Sequence, residues 1–243
     1  MTTIESAINK YFPYLVEIRK RLLFTFSLFL ISSILGFVYY EKIINLLLSV
    51  FKVGNVNIVF TSPFQFFTLA VNLGLIVGVA VSLPLIIIQL LTFLKPALKK
   101  TEFKLIIALI PFSFTLFVMG LVFGVGIMKY IVTLFYQKSL ELNIGNFLDI
   151  SMLLSKIALT GALMGIAFQF PIAITILIRL GVVQRQFFVK QRFFAYGIAL
   201  VFAALLPPTD ILSLLLLTLP LVFLFEITLL LNKMNKGKAV IKL

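Results

Sequence analysis

The chain contains no cysteine and no histidine, and only eight of its 243 residues are acidic. The absence of cysteine excludes disulfides and thiolate chemistry. The absence of both residue types removes the usual zinc ligands and the commonest acid–base catalyst. Charged residues make up only 12% of the sequence, whereas about 25% is typical of a soluble domain. We therefore expect no metal, no cofactor and no enzymatic activity.

Apolar residues are abundant instead and make up 62% of the chain, against roughly 45–50% in soluble proteins. They recur in runs of the length that a membrane-spanning helix needs, about 18 residues or more, which argues against the ~10-residue alternating strands of a barrel. The lysines and arginines behind the net charge of +13 lie in short polar segments between the apolar runs. This distribution is typical of residues that orient a membrane protein, and it does not require nucleic-acid binding. The sequence predicts an all-α integral membrane protein without a cleavable signal peptide, because its first twenty residues are polar.

The apolar runs predict one domain of six transmembrane helices over residues 1–243. A polar arm at 1–21 precedes spans at 22–40, 66–91, 105–128, 157–178, 193–206 and 211–231, and a tail follows at 232–243. An apolar patch at 43–51 is too short to cross and is predicted to lie on the membrane surface. Spans five and six are expected to be short, since fourteen residues rise only ~21 Å against a ~30 Å hydrocarbon core.

The distribution of basic residues predicts the orientation. Only five of the 21 lysines and arginines fall in the connections after the odd spans: Lys42, Lys52, Lys129, Lys138 and Lys156. The others lie in or next to the N-terminal arm, the C-terminal tail and the connections after spans two and four. An even number of spans places both termini on one side, and the excess of positive charge predicts that this side is cytoplasmic.

Two acids, Glu17 and Glu102, precede spans one and three and are therefore predicted to lie at the same membrane face. One interpretation is local: Glu17 pairs with Arg21 at i,i+4, and Glu102 is favoured by about 0.3–1 kcal/mol at a helix N-terminus. The other is functional: the two carboxylates form a receptor for a dibasic ligand, each accepting a guanidinium in a charge-assisted bond of roughly 1.5–3 kcal/mol.

Three further polar positions have two interpretations each. Gln169 lies in the middle of span four, and such a neutral amide is more often the donor or acceptor of an interhelical hydrogen bond than part of a binding site. Asp210, with Ser213, fits a capped turn at the Pro207-Pro208 corner. Glu226, towards the end of span six, either reaches the interface or serves a function, as ionisable residues within spans commonly do.

Several motifs occur in an order typical of one family. They are Leu15-Val16-Glu17-Ile18-Arg19-Lys20-Arg21-Leu22, Ser62-Pro63-Phe64, Pro84 with Gln89, Phe93 with Pro96-Ala97-Leu98 and Glu102, Phe168-Gln169-Phe170-Pro171, Pro207-Pro208 with Asp210 and Ser213, and Phe225-Glu226. Together, over nearly the whole chain, they resemble the TatC family, the multispanning subunit of the twin-arginine protein translocase.

The resemblance implies a cup-shaped, six-helix receptor in the cell inner membrane, or in an organellar one. Such a receptor binds Arg-Arg signal peptides of folded precursors and works with the single-span subunits TatA and, where present, TatB. Export is driven by the proton-motive force, and a homo-oligomer forms within the complex. The family's signal-peptide acids fall on Glu17 and Glu102, and Arg19 and Phe93 fall on supporting positions. Contacts to the cup or to partners are implied at Pro84, Gln169, Asp210, Ser213 and Glu226.

The sequence departs from the family pattern at several positions. The family often has histidine at Tyr14, aromatic residues at Leu91 and Lys99, glutamine at Leu214, and in many members an acid at Gln169. Two other classes of function stay open from the residues alone: a small-solute transporter and a structural multi-pass subunit. A transporter predicts polar groups at the bilayer midplane, where the sequence offers only Gln169.

Overall fold

The structure is a computed structural model, and it describes residues 3–50, 57–59, 62, 64–93, 100–142 and 147–234. This part of the chain is almost entirely helical, which confirms the all-α fold class. In chain order the helices are α1 (Thr3–Val38), α2 (Tyr40–Val50), α3 (Gln65–Phe93), α4 (Lys100–Glu141), α5 (Ile150–Ala167), α6 (Phe170–Arg179), α7 (Arg185–Lys190), α8 (Arg192–Ala204) and α9 (Ile211–Met234). Two three-residue strands, β1 (Asn57–Val59) and β2 (Phe147–Asp149), lie in the connections.

Five helical segments of the described chain are long and apolar enough to cross a membrane. They are Val16–Val38, Gln65–Ile86, Leu109–Glu141, Ile150–Arg179 and Ile211–Lys233. A sixth apolar helix, α8, has only 13 residues and rises about 20 Å. Shortness was expected of both spans five and six, and it applies to α8 alone, because the 24 residues of α9 rise about 36 Å.

Two helices extend beyond the apolar runs that predicted them. The first, α1, begins at Thr3 and continues through the polar arm. The other, α4, continues beyond residue 128 to Glu141. Lysine, glutamate and arginine are good helix formers, so helix propagates past the point where hydropathy falls. Hydropathy marks only the part of a helix that suits the bilayer.

The long helices pack as neighbouring pairs, α1 with α3 and α4 with α5. Small residues allow the second pair to approach closely. A Cβ atom at Gly120 would lie 2.5 Å from the carbonyl oxygen of Met164, and one at Gly124 would lie 2.8 Å from that of Thr160. Lipid is as apolar as leucine, so close van der Waals packing, and not exclusion of apolar surface from water, holds such helices together.

The connections before α3 and α5 are joined by a parallel pairing of β1 with β2, in the register Asn57↔Phe147 to Val59↔Asp149. Asp149 caps α5 by accepting the backbone N–H of Met152 at 2.9 Å, and its other oxygen accepts the Gln65 amide at 2.6 Å. The sequence indicated no strand in either connection. The pairing ties the beginnings of α3 and α5 to each other.

Candidate functional site

The carboxylate of Glu17 is held by Arg21, one turn later on α1. Arg21 donates to Glu17 Oε1 from Nε at 3.1 Å and from Nη2 at 2.5 Å. Its Nη1 donates to the backbone oxygen of Gln89, in α3, at 2.8 Å. The side chain of Glu17 nevertheless keeps 41% of its surface exposed. The local i,i+4 pair predicted from the spacing is therefore present, and it also fixes Glu17 beside the last turns of α3.

The other residues predicted for this site fall around the same end of α3. Phe93 is the last residue of α3, one helical turn beyond Gln89, and Glu102 lies in the first turn of α4. The side chains of both lie outside the described part of the structure, as do residues 94–99 between them. Arg19 is exposed on α1, but at two positions from Glu17 it lies on a different face of the helix.

Gln169 lies at the break between α5 and α6 and bonds to α4. The hydroxyl of Ser113 donates to Gln169 Oε1 at 2.6 Å, and Gln169 Nε2 donates to the backbone oxygen of Ser113 at 3.0 Å. Both side chains are buried, with 5% and 1% of their surfaces exposed. This confirms the interhelical hydrogen bond predicted for Gln169 and satisfies a polar group that would be costly in an apolar interior.

A cavity of about 550 Å³ lies between α5, α6, α8 and α9. Gln169 is the only polar residue among the described lining, and the wall includes Phe170, Phe202, Leu221 and Phe225. The rings of Phe170 and Phe225 stack with their centroids 6.2 Å apart. The described lining takes nothing from α3, although the resemblance implied a contact to the cup or to a partner at Pro84 of that helix. The cavity suits an apolar segment.

Asp210 and Ser213 form the predicted capped turn at the start of α9. The backbone N–H of Ser213 donates to Asp210 Oδ1 at 2.9 Å, and the Ser213 hydroxyl donates to Oδ2. The buried hydroxyl of Thr160, on α5, donates to the backbone oxygen of Pro207 at 2.7 Å. These bonds anchor the corner between α8 and α9 to the rest of the bundle.

Glu226 lies on α9, sixteen residues after Asp210 and so about 24 Å from it along the helix. Its carboxylate accepts a hydrogen bond from the Tyr196 hydroxyl at 2.5 Å and forms an ion pair with Arg192 at 3.3 Å. Both partners lie on α8. Pro84 is buried within α3. The implied cup and partner residues therefore occupy separate places and do not form a single cluster.

Sequence reasoning missed the partners that fix these polar groups. Gln89 lies 68 positions from Arg21, and Ser113 lies 56 positions from Gln169. Both bonds depend on which helices become neighbours, and no local pattern carries that information. No local sequence pattern indicated that Arg192 and Tyr196 of α8 would lie opposite Glu226 either.

The fold and these sites define a multi-pass helical membrane protein with an exposed carboxylate at the start of its first span and an apolar cavity among its last helices. Comparison with known families makes the assignment specific. The model of the Sec-independent protein translocase protein TatC matches residues 13–220. The chain belongs to the TatC family and is thus a component of a protein translocase.

Relatives and solved structures agree along most of the chain. It is 32% identical to TatCy of Bacillus subtilis (strain 168), covering 98% of this chain and 94% of that protein. It is 29% identical to TatC of Carboxydothermus hydrogenoformans, with 93% and 94% covered. A crystal structure of the twin-arginine translocase receptor TatC superposes with a TM-score of 0.77 at 28% identity, covering 90% of this chain and 98% of the other.

Proposed function

We propose that this protein is the receptor subunit of a twin-arginine translocase and binds Arg-Arg signal peptides of folded precursors at its cytoplasmic face. In this proposal Glu17 and Glu102 each receive one arginine of the signal. Phe93 supports the site, and Arg19 supports it from another face of α1. The apolar part of the signal then enters the cavity among α5, α6, α8 and α9.

The observation that carries the proposal is the state of the Glu17 carboxylate. Among the described contacts, its bonds to Arg21 both go to Oε1, and the side chain remains 41% exposed. A carboxylate offers about four lone-pair sites, so Oε2 can accept an incoming guanidinium. Arginine suits such a site better than lysine, because its planar fork makes two parallel bonds.

The position of Glu17 supports the proposal that a second carboxylate, that of Glu102, lies nearby. Arg21 bonds to α3 one turn before Phe93, and α3 contacts α4, the helix whose first turn contains Glu102. Neighbouring arginines in a peptide have Cα atoms only ~3.8 Å apart, so a twin-arginine motif needs two acceptors close together. Lysines and arginines around both acids disfavour a basic segment that does not pair with them.

The cavity supports the second half of the proposal. In the part of the chain that the structure describes, Gln169 is the only polar residue of the lining, and its amide is already bonded to Ser113. The cavity therefore offers an apolar helix burial at about 25 cal/mol per Å². A small polar solute would find few partners in this lining, which speaks against the alternative of a solute transporter.

The proposal extends to partners and location. Single-span subunits of the TatA type, and of the TatB type where present, would pack in the bilayer against the exposed apolar side chains of α8, among them Phe193, Phe194 and Ile198. The Asp210–Ser213 corner would lie at the far end of that surface. The assembly, with several copies of this chain, would work in the inner membrane and use the proton-motive force.

The test is binding of a synthetic Arg-Arg signal peptide to the full chain in lipid nanodiscs. Glu17→Gln and Glu102→Gln should each weaken binding about ten-fold or more, the effect of losing one charge-assisted bond. Glu141→Gln is the matched control, because Glu141 is an exposed acid paired with Lys138 elsewhere on the chain. Undiminished binding in both variants would exclude the proposed site and leave a structural multi-pass subunit as the better interpretation.

A further inference from the structure

Three hydrogen bonds that Arg21 donates at the proposed site are described, and all three go to groups of its own chain. Two go to the same oxygen of Glu17, and the third goes to the main chain of Gln89. The guanidinium is therefore a link between α1 and α3 with the carboxylate at one end. Three quarters of its side-chain surface is covered, since only 25% is exposed.

This geometry determines which oxygen of the carboxylate is bonded to Arg21. Because Nε and Nη2 both bond to Oε1, Oε2 takes no part in the described bonds to Arg21. Thr25 strengthens the same junction, since its hydroxyl lies 2.9 Å from Gln89 Oε1. A glutamate has several rotatable bonds, and without such a link its carboxylate would sample many positions.

From these contacts we infer that Arg21 is a positioning residue for signal recognition: it holds Glu17 by one oxygen and presents the other to the incoming guanidinium. The inference rests on the proposed function and adds a residue to it. A site whose groups are already ordered binds more tightly, because the ligand does not have to order them. Arg21 thus acts through Glu17 and does not itself contact the signal.

Lysine cannot replace Arg21 in this role. Its ammonium is a point charge, whereas the guanidinium spans Glu17 and Gln89 with separate nitrogens held in one plane. A lysine would keep the positive charge and lose either the paired bonds to Oε1 or the bond to α3. Charge and geometry are therefore separable at this position.

The experiment measures the affinity of Arg-Arg and Lys-Lys signal peptides for Arg21→Lys and Arg21→Gln variants in nanodiscs, per folded molecule. Both variants should weaken Arg-Arg binding about three- to ten-fold, the effect of leaving one or two long side chains unordered. They should also reduce the preference of the protein for the Arg-Arg peptide over the Lys-Lys peptide. Lys138→Gln is the matched control, since it removes an exposed positive charge that pairs with Glu141, away from the proposed site, and should leave affinity unchanged.

Three outcomes are distinguishable. Weakened binding in both Arg21 variants, with a reduced Arg-over-Lys preference, supports the inference. Full rescue by lysine, or unchanged affinity despite a lower thermal midpoint, would show that Arg21 only stabilises the fold. Tighter binding would show that Arg21 competes with the signal, which also overturns the inference. A loss with Glu17→Gln in the same assay keeps the proposed function standing in either case.

Discussion

At the scale of single residues, several polar groups of the described chain bond to partners on other helices. Gln169 bonds to Ser113, Glu226 to Tyr196 and Arg192, and Arg21 to Gln89. In an apolar surrounding an unpaired polar group is costly, so each of these bonds specifies which helices lie together. Glu17 differs from these groups, because its described partner Arg21 lies on its own helix and its side chain stays 41% exposed, which is compatible with the cationic ligand proposed for it.

Removing the Ser113 hydroxyl should test one of these pairs. Ser113→Ala leaves Gln169 Oε1 without its donor, and we expect a loss of about 0.6–1.7 kcal/mol, the range of interhelical hydrogen bonds in membranes. The measurement is the free energy of unfolding in mild detergent. Thr115→Val is the control, because the described bond of the Thr115 hydroxyl goes to the backbone oxygen of Pro111 in the same helix. Equal losses in the two variants would contradict an interhelical role for Ser113.

The sequence predicted individual residues unevenly. Local relations were accessible: the spacing of Glu17 and Arg21 indicated their ion pair, and Asp210 before Ser213 indicated a cap. The bond from Arg21 to Gln89 was not accessible, because it depends on α1 and α3 packing together across 68 positions. The role of Glu102 stays a prediction.

At the scale of elements, close packing of α4 against α5 depends on glycines in α4. A methyl group at Gly120 would lie 2.5 Å from the Met164 carbonyl oxygen and 2.8 Å from Phe168 Cβ, closer than atoms can approach. The two helices would have to separate, and the carbonyl cannot move without disturbing α5.

Gly120→Ala should therefore destabilise the protein by about 1–3 kcal/mol, as overpacking does elsewhere. Gly126→Ala, on the same helix, should be neutral or stabilising, because nothing lies within 4 Å of the added atom and alanine is the better helix former. Thermal unfolding of both purified variants checks the contrast. If Gly126→Ala lost as much stability as Gly120→Ala, the packing argument would be wrong.

Hydropathy predicted where the apolar helices lie. It underestimated the lengths of α1 and α4, because the polar ends of these helices are helical but not apolar enough for the bilayer. It gave no indication of the β1–β2 pairing, because three-residue strands carry little pattern and their partner lies 90 positions away. Helices thus follow from local composition, and contacts between connections do not.

At the scale of the whole molecule, the bias of basic residues predicts cytoplasmic termini. The absence of cysteine from the chain makes this directly testable with single introduced cysteines. We expect Lys20→Cys to react with a membrane-impermeant maleimide only from the cytoplasmic side, and Lys138→Cys, exposed at the end of α4, only from the opposite side. Labelling with the sides exchanged would reverse the proposed orientation and place Glu17 away from the signal.

The central claim is that Glu17 and Glu102, far apart in the chain, are neighbours that together receive two adjacent arginines. The most direct test is the distance between spin labels on cysteines replacing these two residues, in nanodiscs without peptide. The account predicts a narrow distribution within about 20 Å, because adjacent arginines have Cα atoms ~3.8 Å apart and each side chain adds only a few ångströms. A broad distribution, or one centred well beyond that distance, would contradict the two-carboxylate receptor.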